Sequence, residues 1–384
     1  MDGAVLVAPE KESGATALTF SEPPDVVRAI YLTGWSASVA SRIDYVIELA
    51  RTDKINAVVI DVKDFSGAIV YPIETPELAV YKGQGSKISS IQALLGRLHK
   101  EGMYVIARIT VFQDPVLARA RPDLAVHSKA KLVELQELTP TSLWLDLKGL
   151  AWIDPAAKEA WDYSVALAKD AASRGFDELN FDYIRFPSDG NLQDMVFPLW
   201  DGGTPKHEVI REFFQYLRAQ LPGIRISADL FGLSTSHTSD LGVGQIIEDA
   251  YEYFDYVSPM LYPSHFADMF LGYPKPAEYP YEIVAYSLEN ARIRLETLGR
   301  QLLEKEGLQE KKLAKLRPWL QDFDLGADYD AGMVQAQIQA TKDVIGEKFA
   351  GFLLWSPTNF YTRDALGPFE FDKDAYNRRE RTTF

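Results

Sequence analysis

Two kinds of apolar pattern alternate along this chain. Short runs at 27–33, 57–61, 104–110, 178–182, 224–229, 256–261, 317–321 and 351–355 are apolar throughout or at every second position, which predicts strands. Between them, Val39, Ile43, Val46, Ile47 and Ala50 fall on one helical face, as do Val209, Ile210, Phe213, Phe214 and Leu217, and later Val334, Ile338, Thr341 and Ile345. Asp154-Pro155 and Thr204-Pro205 read as helix starts, each joining a capping side chain to a proline at the first helical position. Eight strands thus alternate with seven helices, and the segment after Pro368 can supply the eighth; this order predicts a (β/α)8 TIM barrel. An open doubly wound sheet would carry a G-x-G-x-x-G turn after its first strand, and Leu32-Thr33-Gly34-Trp35-Ser36 does not open one.

Alternation also sorts the side chains. On the fourth run, Asn180 and Asp182 share one face while Leu179 and Phe181 share the other. Extended to every strand, the polar parity comprises Tyr31 and Thr33, Asp61 and Lys63, Arg108 and Thr110, Asn180 and Asp182, Ser227 and Asp229, Ser258 with Met260 and Tyr262, Gln321, and Trp355. The opposite parity is mostly Val, Ile, Leu, Ala and Phe. A buried polar group without a partner costs a few kcal/mol, so the polar set is expected to face inward and to form a pocket at the carboxyl ends of the strands. Long loops after strands 2, 3 and 6, at 64–87, 111–154 and 263–280, should wall its mouth, the second bringing Trp144 and Trp152. Residues 25–384 read as a single barrel domain, 1–24 as an N-terminal tail or linker without a legible signal peptide, and 289–315 as a solvated Glu- and Lys-rich helix.

Composition narrows the chemistry. A net charge of −15 excludes an extended nucleic-acid footprint. The absence of cysteine removes disulfides, thiolate nucleophiles and cysteine metal sites. No stretch approaches the roughly 18 apolar residues of a membrane span. His99, His127, His207, His237 and His265 lack H-x-H or H-E-x-x-H spacing, and Asp322, Asp324, Asp328 and Asp330 do not fit an EF-hand loop, so no metal or cofactor is expected. Oligomeric state leaves no mark in the sequence.

The pocket carboxylates are then Asp61, Asp182 and Asp229, with Asp64 and Asp322 one step off parity at the rim. Two carboxylates flanking a bond, one ionised and one protonated, with aromatic rings to stack on a sugar, are what glycoside hydrolysis requires. Adjacent strands four and five bring Asp182 and Asp229 close enough to drive their pKa values apart. Arg108, Arg185 and Lys63 either hold a carboxylate ionised or form ordinary ion pairs in the mouth. Trp35, Trp144, Trp152 and Trp355 either stack on sugar or pack, with Trp355 at the inward parity.

The motifs Tyr31-Leu32-Thr33-Gly34, Val59-Ile60-Asp61-Val62-Lys63-Asp64, Trp152-Ile153-Asp154-Pro155, Phe181-Asp182-Tyr183-Ile184-Arg185-Phe186-Pro187, Ser258-Pro259-Met260-Leu261-Tyr262-Pro263 and Pro318-Trp319-Leu320-Gln321-Asp322 together resemble a DUF4015-like family of glycoside hydrolases with a TIM barrel. That family is distantly similar to the α-amylase clan and is often attached to bacterial cell surfaces, which implies an extracellular or cell-surface location. By position, the clan's pattern implies Asp182 as nucleophile, Asp229 as acid/base and Asp322 as a supporting carboxylate. Asp229 stands where the clan has Glu and Asn180 where it has Arg, so Asp61 stays a second candidate for the acid. The resemblance implies a poly- or oligosaccharide substrate, met by Tyr31, Lys63, Asp64, Arg108, Asn180, Arg185, Met260, Tyr262, Gln321, Trp355 and Trp152. A non-catalytic carbohydrate-binding barrel of the cell surface would keep the aromatic and polar residues without needing two carboxylates in different protonation states.

Overall fold

A computed structural model describes residues 21–52, 54–79, 86–306 and 312–378. Most of the expected tail at 1–24, part of the loop after the second strand and the end of the Glu- and Lys-rich helix lie outside the described residues. Eight parallel strands form the barrel: β1 (Val27–Leu32), β2 (Ala57–Lys63), β3 (Tyr104–Thr110), β4 (Glu178–Asp182), β5 (Ile226–Phe231), β6 (Tyr256–Leu261), β7 (Trp319–Gln321) and β8 (Gly351–Trp355). The ring closes where β8 pairs with β1, Val27 opposite Gly351. Gly351 has φ +109°, and a Cβ there would sit 1.9 Å from the Val27 carbonyl oxygen, so the seam requires glycine. The seventh strand is split. Lys315–Leu316 pairs with β6, the segment Arg317-Pro318 interrupts because proline has no N–H for the ladder, and β7 then bridges β6 and β8.

Outside the ring run α1 (Ala40–Arg51), α2 (Ile91–Lys100), α3 (Lys158–Arg174), α4 (Lys206–Gln220), α5 (Ile247–Tyr253), α6 (Pro280–Glu306), α7 (Ala331–Ile345) and the short α8 (Lys373–Asn377). Their apolar stripes bury one parity of the strands, Ile30, Val58, Ile60 and Leu179 among them. The other parity fills a separate core inside the barrel, built by Val27, Ala29, Tyr31, Val59, Ile106, Trp319 and Leu353. Alternation therefore divides the molecule into two apolar compartments.

Several boundaries differ from the sequence expectation. The fifth strand begins and ends two residues later than 224–229. Neither Asp-Pro nor Thr-Pro starts a helix. α3 begins at Lys158 after Ala157, and Asp154 instead accepts from Ala156 N (2.9 Å), Leu199 N (2.8 Å) and Trp200 N (2.9 Å), tying two loops together. α4 begins at Lys206, with Pro205 at the N-cap and no side-chain cap. A fourth long loop, 183–205, follows β4 and joins the loop after β3 through the antiparallel pair His127–Ser128 and Met195–Val196.

Candidate active site

Arg108, on β3, reaches carboxylates from three strands. Its Nη1 donates to Asp61 Oδ1 on β2 (2.7 Å), its Nη2 to Asp182 Oδ2 on β4 (2.5 Å), and its Nε lies 3.9 Å from Asp229 Oδ2 on β5. The ladder sets this grouping: Asp61 stands opposite Arg108, and Thr110, one inward step further, opposite Asp182. Asp61 Oδ2 also accepts from the Tyr31 hydroxyl at 2.6 Å. Asp229 Oδ1 accepts from Asn180 Nδ2 and Trp319 Nε1, both at 2.8 Å. Asp182 Oδ1 accepts from Tyr183 N at 2.6 Å. Tyr183 has φ +53°, a strained value for a bulky residue, and the Phe112 N–H bound to its carbonyl at 3.1 Å helps to hold it there.

Three carboxylates share one guanidinium, so not all of them are fully compensated. Burial, and then the charge of Asp182, push Asp229 up to about 8, against the opposing pull of Arg108 and the two donors on Oδ1. Burial pushes Asp61 up to about 6, with Arg108 and the Tyr31 hydroxyl holding it back. Burial opposes the charge on Arg108, but Asp182 and Asp61 outweigh it and keep the group above its ordinary range. At neutral pH this leaves Asp229 protonated beside an arginine-bound carboxylate.

These groups open onto a cleft of about 440 Å³. It is lined by Arg108, Asp182, Tyr183, Arg185, Asp229, Phe231, Met260, Tyr262, Trp319 and Trp355, with Lys148 and His265 at its edge. Tyr262 and Trp355 lie 5.4 Å apart between ring centroids, and Phe323 meets Trp355 edge-on at 4.9 Å, giving one wall an aromatic surface. Such a wall suits the apolar face of a sugar ring.

Of the residues singled out from the sequence, Asp182, Asp229, Arg108, Arg185, Met260, Tyr262 and Trp355 meet in this cleft. Asp61 and Asn180 lie directly beneath it, bonded to Arg108 and Asp229, and Tyr31 is bonded in turn to Asp61. The others do not reach it. A bulge between Asp61 and Lys63 shifts the register, so Lys63 pairs opposite Ile109 and turns outward to Asp114 Oδ2 at 2.6 Å. Asp64 accepts from Ser66 N (2.9 Å) and Lys87 Nζ (2.9 Å) in the loop beyond. Gln321 clamps two loops, accepting from Ser264 N (3.2 Å) and donating to Phe323 O (2.9 Å). Both oxygens of Asp322 are taken by Thr362, through its N–H (2.9 Å) and hydroxyl (2.7 Å). Trp152 is buried, donates to Asp146 Oδ2 (3.1 Å) and packs beneath Arg185. Trp144 is buried as well, and Trp35 is exposed and capped by Lys87. In the acidic turn, Asp330 caps α7 and Asp324 accepts from Tyr329 N at 2.7 Å.

Sequence reasoning passed over Trp319, Phe231, Tyr183, Phe266, Lys148 and His265. Trp319 has the parity of Gln321 and Phe231 that of Asp229, so a full alternation count signals both. Tyr183, Phe266, Lys148 and His265 sit on loops where no period exists to read.

Residues 29–361 match the family described as "Putative glycosyl hydrolase domain" (DUF4015). No curated protein matches the chain. Among solved structures, a hypothetical protein from Ruminiclostridium thermocellum is 38% identical over 52% of this chain and 96% of that one, with a TM-score of 0.46. The PgaB (BpsB) glycoside hydrolase domain from Bordetella bronchiseptica is 14% identical over 90% of this chain and all of that one, with a TM-score of 0.57. A chitobiase from Flavobacterium johnsoniae is 12% identical over 89% of this chain and 47% of that one, at 0.52. At such identities the last two are similar in fold alone.

Proposed function

The chain belongs to this family of glycosyl hydrolase domains, and from that premise we propose that it cleaves a glycosidic bond in a poly- or oligosaccharide with Asp182 as nucleophile and Asp229 as acid/base. The observation that carries the reading is the placement of two carboxylates from adjacent strands about Arg108, one bonded to it and one buried beside it. Asp182 receives a charge-assisted hydrogen bond from the guanidinium, while Asp229 keeps its proton up to about 8. Glycoside hydrolysis needs that pairing, because one carboxylate must attack as an anion while the other donates to the leaving oxygen.

In the first step Asp182 attacks the anomeric carbon as the glycosidic bond breaks, and the Asp229 proton passes to the leaving oxygen. In the second, Asp229, now ionised, takes a proton from water as that water displaces the Asp182 carboxylate and returns the enzyme to its starting state. Asp61 is a positioning residue, since it holds the other arm of Arg108. Asp322 acts at a distance, anchoring the loop after β8 through Thr362. The aromatic wall of Tyr262 and Trp355 supplies the stacking surface.

The test compares wild type with Asp182→Asn on bacterial polysaccharides and aryl glycosides. Turnover lost by at least about 1,000-fold, with sugar binding retained, is the expected result. An Asp182→Asn protein that cleaves as fast as wild type removes Asp182 from the mechanism. A wild type that binds sugars and cleaves none makes the barrel a binding module.

A further inference from the structure

The cleft holds a positive charge that, among the described residues, none of its carboxylates binds directly. Arg108 is matched by Asp61 and Asp182. Arg185, three residues beyond Asp182, is not. It is only 6% exposed, with its guanidinium held among the rings of Trp152, Tyr183 and Phe231 at 4.8, 5.4 and 4.4 Å from their centroids. Within the protein its Nη1 donates to Phe186 O (3.0 Å) and Ser188 Oγ (3.1 Å). Among the described residues Arg185 forms no ion pair with a carboxylate, and its Nε and Nη2 donors have no protein partner. Tyr183, Asp182, Asp189 and Asp146 act on Arg185 only through space: Asp182 is bound to Arg108, Asp189 accepts from Leu147 N (3.0 Å), and Asp146 is filled by Gln113, Trp152 and the backbone of its own turn. Lys148, exposed at the edge of the same cleft, likewise forms no ion pair among the described residues.

A buried cation with no carboxylate bound to it is destabilising, and burial accordingly pushes Arg185 below its ordinary range despite the opposing influence of Tyr183, Asp182, Asp189 and Asp146. In a glycosidase the arrangement is worse during catalysis, because the transition state is oxocarbenium-like and itself positive. A second cation lining the same cleft, with no carboxylate bound to it, would oppose it. The conflict disappears when the ligand brings the missing negative charge. Resting on the glycoside hydrolase reading above, we infer that the sugar bound here carries a carboxylate, as a hexuronate does, received by the Arg185 fork and steered in by Lys148. The planar guanidinium matches a carboxylate through two parallel N–H bonds, and its aromatic surround excludes the water that would weaken them. The aromatic wall contributed by Tyr262 and Trp355 leaves the ring faces of such a sugar free to stack.

Binding to the cleavage-impaired Asp182→Asn protein tests this without turnover. Oligomers of galacturonate, glucuronate and mannuronate are titrated calorimetrically, each against its carboxyl-reduced, neutral counterpart. At least one acidic oligomer is expected to bind about 10- to 100-fold more tightly than its neutral form. Arg185→Gln should abolish that preference, and Lys148→Gln, at an exposed site that tolerates change, should reduce it and flatten its salt dependence. Equal binding of acidic and neutral forms throughout the panel overturns the inference, as does a preference that survives Arg185→Gln in a protein melting like its parent. The two readings fail separately. Wild type that cleaves a neutral glycan while ignoring uronates is a glycosidase of another specificity, whereas uronate binding through Arg185 with no cleavage leaves the acidic ligand and removes the enzyme.

Discussion

Replacing Trp319 by Phe isolates one hydrogen bond at the proposed acid. Trp319 Nε1 donates to Asp229 Oδ1 at 2.8 Å, and Asn180 Nδ2 donates to the same oxygen at 2.8 Å. A hydrogen bond to a charged group contributes about 1.5 to 3 kcal/mol and one to a neutral group about 1 kcal/mol. The indole therefore favours the ionised form of Asp229 by about 0.5 to 2 kcal/mol, centred near one pH unit. Removing it raises the pKa from about 8 toward 9. The sign of the kinetic effect follows from the role. An acid must be protonated to act, so kcat/KM falls as pH rises through its pKa in the free enzyme, and a higher pKa carries activity further into alkali. The profile of kcat/KM against pH should show its alkaline limb near 8 in wild type and about one unit higher in Trp319→Phe. The smaller ring also leaves space inside the barrel and lowers the melting temperature, but that loss does not move the limb. A limb that stays in place, or moves to lower pH, refutes Asp229 as the titrating acid.

Three further outcomes concern stability. In the unfolded chain Asp61 and Asp229 titrate near 3.8, against about 6 and about 8 when folded. Folding is therefore most favoured below about pH 4 with respect to these groups, and this contribution is lost as pH rises through about 6 and then about 8; urea unfolding of Asp229→Asn should flatten the upper part of that decline. Lys63→Met leaves Asp114 buried without its cation and should cost about 3 to 5 kcal/mol in urea unfolding, partly recovered in Lys63→Met/Asp114→Leu, with the kcat/KM limb unmoved. Gly351→Ala drives a Cβ against the Val27 carbonyl at the closing seam, and should abolish cooperative thermal unfolding, whereas alanine at Gly96, which meets nothing within 4 Å, should leave it intact.

The period of two made the grouping of carboxylates about Arg108 legible because the strands obey it as far as Asp61, Arg108, Asp182 and Asp229. Asp61, Arg108, Asn180, Asp182 and Asp229 could be assigned inward from alternation, and parallel order then brought β2 to β5 side by side. Lys63 escaped the rule at the bulge, since one extra residue inverts every later side chain and nothing local in Val62-Lys63-Asp64 announces it. Asp322 was misleading in another way: being one step off parity it points to Thr362 and not inward. Trp152 and Trp144 are large and apolar enough to suit either a platform or a packed loop, and their burial was decided by the long loops after β3 and β4. Lys148 and His265 belong to segments with no repeat, so only the folded chain brings them to the cleft.

Inside the barrel two polar layers offer a comparison within one molecule. Near the amino ends, Glu178 pairs with Arg317 one to one, and both are fully buried. Its oxygens also accept from Ser227 Oγ at 2.6 Å and Tyr104 Oη at 3.2 Å, while the guanidinium stacks 4.0 Å from the Tyr256 ring centroid. Charge there is balanced and water is excluded. Near the carboxyl ends, Asp61, Asp182 and Asp229 meet the single Arg108 beside an open cleft. The one guanidinium that contacts all three carboxylates cannot fully compensate them in a poorly solvated site, and the geometry selects which of them keeps a proton. Asp182 has the 2.5 Å bond to the guanidinium, whereas Asp229, 3.9 Å away and almost fully buried, holds the proton longest. The gathering of three carboxylates about one guanidinium, more than any single side chain, is what sets the upper layer apart from the structural ion pair below it, and the proposed proton donor and nucleophile both belong to it.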